Sequence, residues 1–188
     1  MPAAPRPQRA LVIGGSLGGL FAANLLHRQG WDVQVGDALA GRGAGIITHP
    51  DLFDALRRIG ITIDDSFGVD IAGRVAFDRS GAAVGTLDIK QCLTTWGRLY
   101  ALLQGALPAD RYHLGHACTG VTQDAGTVTA RFANGIAAQG ELLVGADGIR
   151  SVVRTQFAPQ DHPVYAGYIA WRGLVDERGF HDLHAGTA

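Results

Sequence analysis

Lysine is nearly absent from this 188-residue chain: Lys90 is the only one, and arginine supplies the other positive charges. Neither sign of charge is in excess. The formal net charge is −1, so nothing steers the chain towards nucleic acid or an anionic membrane. Cysteine is scarce too. Cys92 and Cys118 form no close motif, and two cysteines in a chain this size suggest reduced thiols in a cytosol, so a cytoplasmic location is expected. No run is long and apolar enough to span a membrane. The first residues are rich in Pro, Ala and Arg and lack the apolar core of a signal peptide, so 1–9 are expected to form a disordered tail. Repeats and low-complexity linkers are missing. So is any Ser/His/Asp set for hydrolysis, and no catalytic residue can be named. His181 and His184 have no third ligand nearby, which points to a tail and not to a metal site.

What is present begins with a strand that runs into glycines, Leu11-Val12-Ile13-Gly14-Gly15-Ser16-Leu17-Gly18-Gly19. A phosphate-binding turn needs a backbone free of side chains and amides at a helix start, where the dipole favours negative charge. Gly14 supplies the tight turn, Leu17 opens the helix, and Gly19 lets that helix pack closely on the strand. Ser16 stands at the middle glycine position of G-x-G-x-x-G; its hydroxyl is small enough to cap the helix or donate to a phosphate. Asp37 lies at the end of the next strand, where a carboxylate accepts both hydroxyls of an adenosine ribose. The alternatives are a strand–turn–helix connection with no ligand and a solvated loop aspartate. The register of strand, turn, helix, strand and acid favours a nucleotide site.

Local patterns place the other elements of an α/β fold. Strands are expected at 10–13, 31–35, 112–114, 117–122, 127–132 and 141–144. Helices are expected at 17–29, 51–59, 95–107 and 151–156, with Gly30 and Gly60 as stops and Pro50 opening the second helix. Between Val69 and Ile89, Gly73, Gly81 and Gly85 suggest several short antiparallel strands. Asn134-Gly135 signals a hairpin. An aromatic-rich strand is expected from Tyr165. His113 and His116 should sit on a strand and its exit, and Cys118 should be an inert core thiol.

A second strand-to-helix junction, Val144-Gly145-Ala146-Asp147-Gly148-Ile149-Arg150-Ser151-Val152-Val153-Arg154, resembles the "DG" signature of the FAD-dependent aromatic hydroxylases, the p-hydroxybenzoate hydroxylase-like monooxygenases. Gly41-Arg42-Gly43-Ala44-Gly45-Ile46 resembles that family's flavin-side loop. Arg98, in Trp96-Gly97-Arg98-Leu99-Tyr100, matches its flavin-contacting helix arginine. Tyr165 to Gly173 is similar to the strand entering its substrate domain and, with the Gly-Gly-Ser turn, most resembles the 2,6-dihydroxypyridine 3-hydroxylase branch.

The resemblance implies a Rossmann-like FAD-binding domain over 10–160, with a parallel sheet plus an antiparallel insertion. It also implies an incomplete substrate domain over 161–188. Cofactor contacts are then expected from Gly14, Ser16, Leu17, Gly19, Asp37, Arg42, Gly45, Arg98 and Asp147, and substrate contacts from His49, Tyr168 and Trp171. The implied activity is hydroxylation of an aromatic or hydroxypyridine-type ring with FAD, NAD(P)H and O2 through a flavin C4a-hydroperoxide. Family members are about twice as long. The chain is therefore expected to be one half of an enzyme, completed by further sequence or by a second polypeptide, with a homodimer as a further partner. The alternatives are a non-catalytic nucleotide-binding fragment and a same-fold dehydrogenase or epoxidase.

Overall fold

A computed structural model describes residues 6–38 and 45–170. Its centre is a parallel sheet of β1 (Arg9–Ile13), β2 (Asp32–Asp37), β6 (Tyr112–Leu114) and β10 (Leu142–Gly145), ordered β10-β1-β2-β6. β1 is one of the two inner strands and is apolar on both faces. Ala10 and Val12 pack with Ala23, Val33 and Val35 beneath helix α1 (Leu17–Arg28). Leu11 and Ile13 face the other way, against Ala130 and Phe132. A strand buried on both faces requires this continuous apolar run.

The second face is covered by an antiparallel sheet of β7 (Cys118–Gln123), β8 (Val128–Phe132) and β9 (Ala137–Gly140). β8 and β9 are joined at Asn134-Gly135, where Gly135 takes φ +84° and the Asn134 side chain accepts from the Ile136 amide. On the first face, α1, α2 (Pro50–Arg58) and α3 (Trp96–Gly105) enclose a core of Leu20, Leu56, Phe67, Leu99 and Leu103. Asn24, buried in α1, donates to the carbonyls of Leu20 and of Leu103 in α3, both at 2.9 Å, so its polar group is satisfied across the helix contact.

Two expectations need correction. The glycine-rich stretch after Val69 forms two long strands, β4 (Val69–Phe77) and β5 (Ala83–Thr95), with the short β3 (Gly45–Ile47) paired to the end of β5. Only Gly81 lies in the turn. Gly85 sits within a strand and Gly73 at a register shift, because cross-strand pairing outweighs the weak strand propensity of glycine. The strand expected from Tyr165 is not formed over 165–170. Among the described residues no neighbour pairs with this segment, and Tyr165, Tyr168 and Ile169 are exposed. Helix α4 (Val152–Phe157) precedes it and docks on β7, where the Gln156 side chain accepts from the Val121 amide at 2.9 Å.

Candidate functional site

The carboxyl ends of β10, β1 and β2 lie side by side. Ile13 pairs with Gly145 on one side and Gly36 on the other. The chain leaves β1 for β2 in one direction, and β10 flanks β1 in the other. This reversal of strand order is where open α/β sheets form their ligand crevice.

Both glycine motifs meet there. Gly14 has φ +101°, and its amide donates to the Gly36 carbonyl at 2.8 Å. A Cβ on Gly14 would lie 2.4 Å from the Ala146 carbonyl oxygen and 2.8 Å from the Asp147 Cα. The first motif is therefore glycine here because the backbone of the second motif fills the side-chain position. A Cβ on Gly19 would lie 1.8 Å from the Gly14 carbonyl oxygen, so α1 seats directly on the turn. The first helical bond runs from the Leu20 amide to the Ser16 carbonyl at 2.9 Å. Among the described residues nothing accepts from the amides of Gly15 to Gly19. The Ser16 side chain makes no capping bond, so the hydroxyl and these amides are available to a ligand. A cleft of about 420 Å³ lies alongside, lined by Gly14, Asp37, His116, Asp147 and Arg150 among others. A larger cleft of about 760 Å³ opens next to it, sharing Ile13, Gly36 and His116 and running past Gln34, His113 and Phe132. The smaller one is lined by residues of both glycine motifs and by Asp37.

Asp37 is held at both carboxylate oxygens. Oδ1 accepts from the Ala38 amide at 2.8 Å and Oδ2 from the Tyr112 hydroxyl at 2.7 Å. Tyr112, missed in the sequence, also lies 3.2 Å from the Gly15 carbonyl and accepts from the Tyr100 hydroxyl at 2.9 Å. Burial first, then the bonds to Tyr100 and Asp37, push the Tyr112 phenol far above its ordinary range, so it stays a donor.

Asp147 brings its backbone to the cleft, but its carboxylate turns to α4. It accepts from the Ser151 hydroxyl and from the amides of Val152 at 2.7 Å and Val153 at 3.3 Å. Ser151 is itself the N-cap of α4, accepting from the Arg154 amide at 2.9 Å, and Asp147 braces that cap and the first helical amides.

The other expected residues sit elsewhere. Gly45 pairs with Thr95, the residue that caps α3 by accepting from the Arg98 amide at 3.1 Å. Arg98 is exposed and donates to the Ser66 hydroxyl. A stacked pair, Trp96 and Tyr100, connects this group to Tyr112 and so to Asp37. His49 is an exposed helix cap; its Nδ1 lies 3.4 Å from the Asp51 amide. Tyr168 is 74% exposed and faces none of these groups. Arg42 and Trp171 lie outside the described residues, as do His181 and His184. None of the described helices is long and apolar enough to cross a membrane.

No protein-family model matches the chain. Individual relatives do. It is 35% identical over 176 residues to 2,6-dihydroxypyridine 3-monooxygenase of Paenarthrobacter nicotinovorans, covering 91% of this chain and 44% of that protein. It is 31% identical over 188 residues to 6-hydroxynicotinate 3-monooxygenase of Bordetella bronchiseptica, covering 88% and 47%. Among solved structures, 2,6-dihydroxypyridine-3-hydroxylase from Arthrobacter nicotinovorans superposes with a TM-score of 0.76 at 34% identity, over 87% of this chain and 42% of that one. HpxO of Klebsiella pneumoniae, solved with FAD and uric acid, gives 0.68 at 27% identity, over 79% and 41%. The chain thus spans a little under half the length of the curated relatives it matches.

Proposed function

We infer that this chain, a relative of the FAD-dependent aromatic monooxygenases over rather less than half of their length, builds the flavin-binding part of such an enzyme. The observation that carries this reading is the junction of the two motifs: free amides at Gly15 to Gly19, Asp37 beside them, and the Ala146-Asp147 backbone against Gly14. The donors fit a pyrophosphate and the carboxylate fits a ribose diol. Gly14, Ser16, Leu17 and Gly19 take the pyrophosphate in this proposal, and Asp37 takes the adenosine ribose. Arg98 and Gly45, with the loop that contains Arg42, attend the flavin end. Asp147 contributes backbone and braces the start of α4.

When bound, FAD supplies the redox and oxygen chemistry; this chain's residues orient it and keep water from the crevice. The proposed reaction is hydroxylation of a small aromatic or hydroxypyridine-type ring with NAD(P)H and O2. Residues 10–160 form the flavin domain, and 161–188 begin the substrate domain. Val69, Val75, Phe77, Val84 and Leu87 are exposed along the β4–β5 hairpin. Such a surface supports coverage by the rest of the enzyme, whether further sequence, a second polypeptide or another copy.

FAD titration followed by flavin fluorescence, with ADP as the adenosine-end probe, tests the reading. Asp37→Asn should weaken both ligands and Arg98→Ala only FAD. Failure of the wild-type chain to bind either would refute it. Intact mass and light scattering on the same sample test the partner: a clean monomer with no companion polypeptide refutes the second polypeptide and the second copy alone.

A further inference from the structure

We propose that Tyr112 is a positioning residue that aims the Asp37 carboxylate at a ribose diol and so sets selectivity for ribonucleotides. This rests on the reading of Asp37 as the ribose acceptor. A carboxylate at a strand end ordinarily swings about its side-chain torsions. Here the Ala38 amide fixes Oδ1 and the Tyr112 hydroxyl fixes Oδ2 at 2.7 Å, leaving each oxygen one free lone pair. Two remaining acceptor positions in a fixed plane match two vicinal hydroxyls.

The phenol is itself held. Tyr100 donates to it at 2.9 Å, and Tyr100 is stacked on Trp96 with ring centroids 4.7 Å apart. Its single proton goes to the carboxylate in preference to the Gly15 carbonyl at 3.2 Å, because the charged acceptor is closer and stronger. The same ring explains Gly15: a Cβ there would lie 2.3 Å from the Tyr112 oxygen. The second glycine of the turn thus makes room for the residue that orients the ribose acceptor. β2 and β6 pair Val35 with Tyr112, which sets the ring at this height.

Calorimetric titration of the full chain with ADP and with 2′,3′-dideoxy-ADP provides the test. Wild type should prefer ADP by roughly tenfold, the effect of hydrogen bonds to a charged acceptor. Tyr112→Phe keeps the ring and should lose most of that preference, with unchanged affinity for the dideoxy nucleotide. Tyr100→Phe, which removes only the bond that orients the phenol, should lose part of it and serves if the first variant fails to fold. A wild-type preference retained in both variants overturns the proposal. So does tighter ADP binding by Tyr112→Phe, which would make the phenol a competitor of the ribose. If wild type and Asp37→Asn show the same ratio, the ribose reading of Asp37 has failed instead.

Discussion

Gly18 and Gly19 are adjacent in the first turn of α1, and replacing each with alanine should change stability in opposite directions. Alanine is the better helix former by ~0.5–1 kcal/mol, less at a helix end. A Cβ on Gly18 meets nothing within 4 Å, so Gly18→Ala should stabilise by about 0.5 kcal/mol. A Cβ on Gly19 would lie 1.8 Å from the Gly14 carbonyl oxygen, where ordinary contact begins near 3.4 Å. That oxygen has no room to yield: Gly14 is hydrogen-bonded to Gly36 at 2.8 Å and lies against Ala146. The helix must retreat by well over an ångström, loosening Leu20 and Ala23 from the strands beneath. Overpacking of this kind costs ~1–3 kcal/mol before the propensity gain is subtracted. Gly19→Ala should therefore destabilise by about 2 kcal/mol, or about 4–8 °C in Tm for a chain of this size. Urea unfolding followed by circular dichroism reads both variants, and ADP titration should show binding lost only in Gly19→Ala. A Gly19→Ala chain as stable as wild type would refute the close seating of helix on turn.

Asp147→Ala should cost about 1–2 kcal/mol, because three donors at the start of α4 lose their acceptor while Ser151 still caps the helix, and urea midpoints measure it. His113 gives a pH dependence. Burial above all, then His116 and Arg111, hold it below its ordinary 6.5 against the pull of Asp110. The unfolded chain therefore binds more protons than the folded one just below pH 6.5. Stability should fall as pH drops from 6.5 towards the lower folded value and be level above 6.5. Urea midpoints between pH 5 and 8 should show this slope, and His113→Gln should flatten it.

The parts of the site written locally were legible in the sequence. The turn at Gly14, the seating of Gly19 and the acid at Asp37 follow from a period change and glycine spacing within one βαβ unit. The helix start at Pro50 follows from the fit of proline to a first helical position. Tyr112 was not legible, because an aromatic at the start of a strand reads as core. Its function arises only when parallel pairing sets it beside Val35 and in reach of Asp37. Asp147 was legible as part of a motif but not in its side-chain partner, since α4 draws the carboxylate to its own amides. The β4–β5 hairpin was misread because its glycines suggest breaks where a long ladder holds them in line.

The contact between Gly14 and Ala146 also sets an order of events during synthesis. The turn emerges early, yet one wall of its crevice is backbone made more than a hundred residues later, fixed by the Ala146 amide bonded to the Ile13 carbonyl at 2.7 Å. β1 cannot take its central place until β10 arrives to flank it. A nucleotide that reaches the nascent N-terminal unit finds the Gly14 turn without its Ala146–Asp147 wall. It meets a finished crevice only after the intervening insertion and antiparallel sheet have been made, so ligand rescue of a folding defect should act only once β10 has emerged.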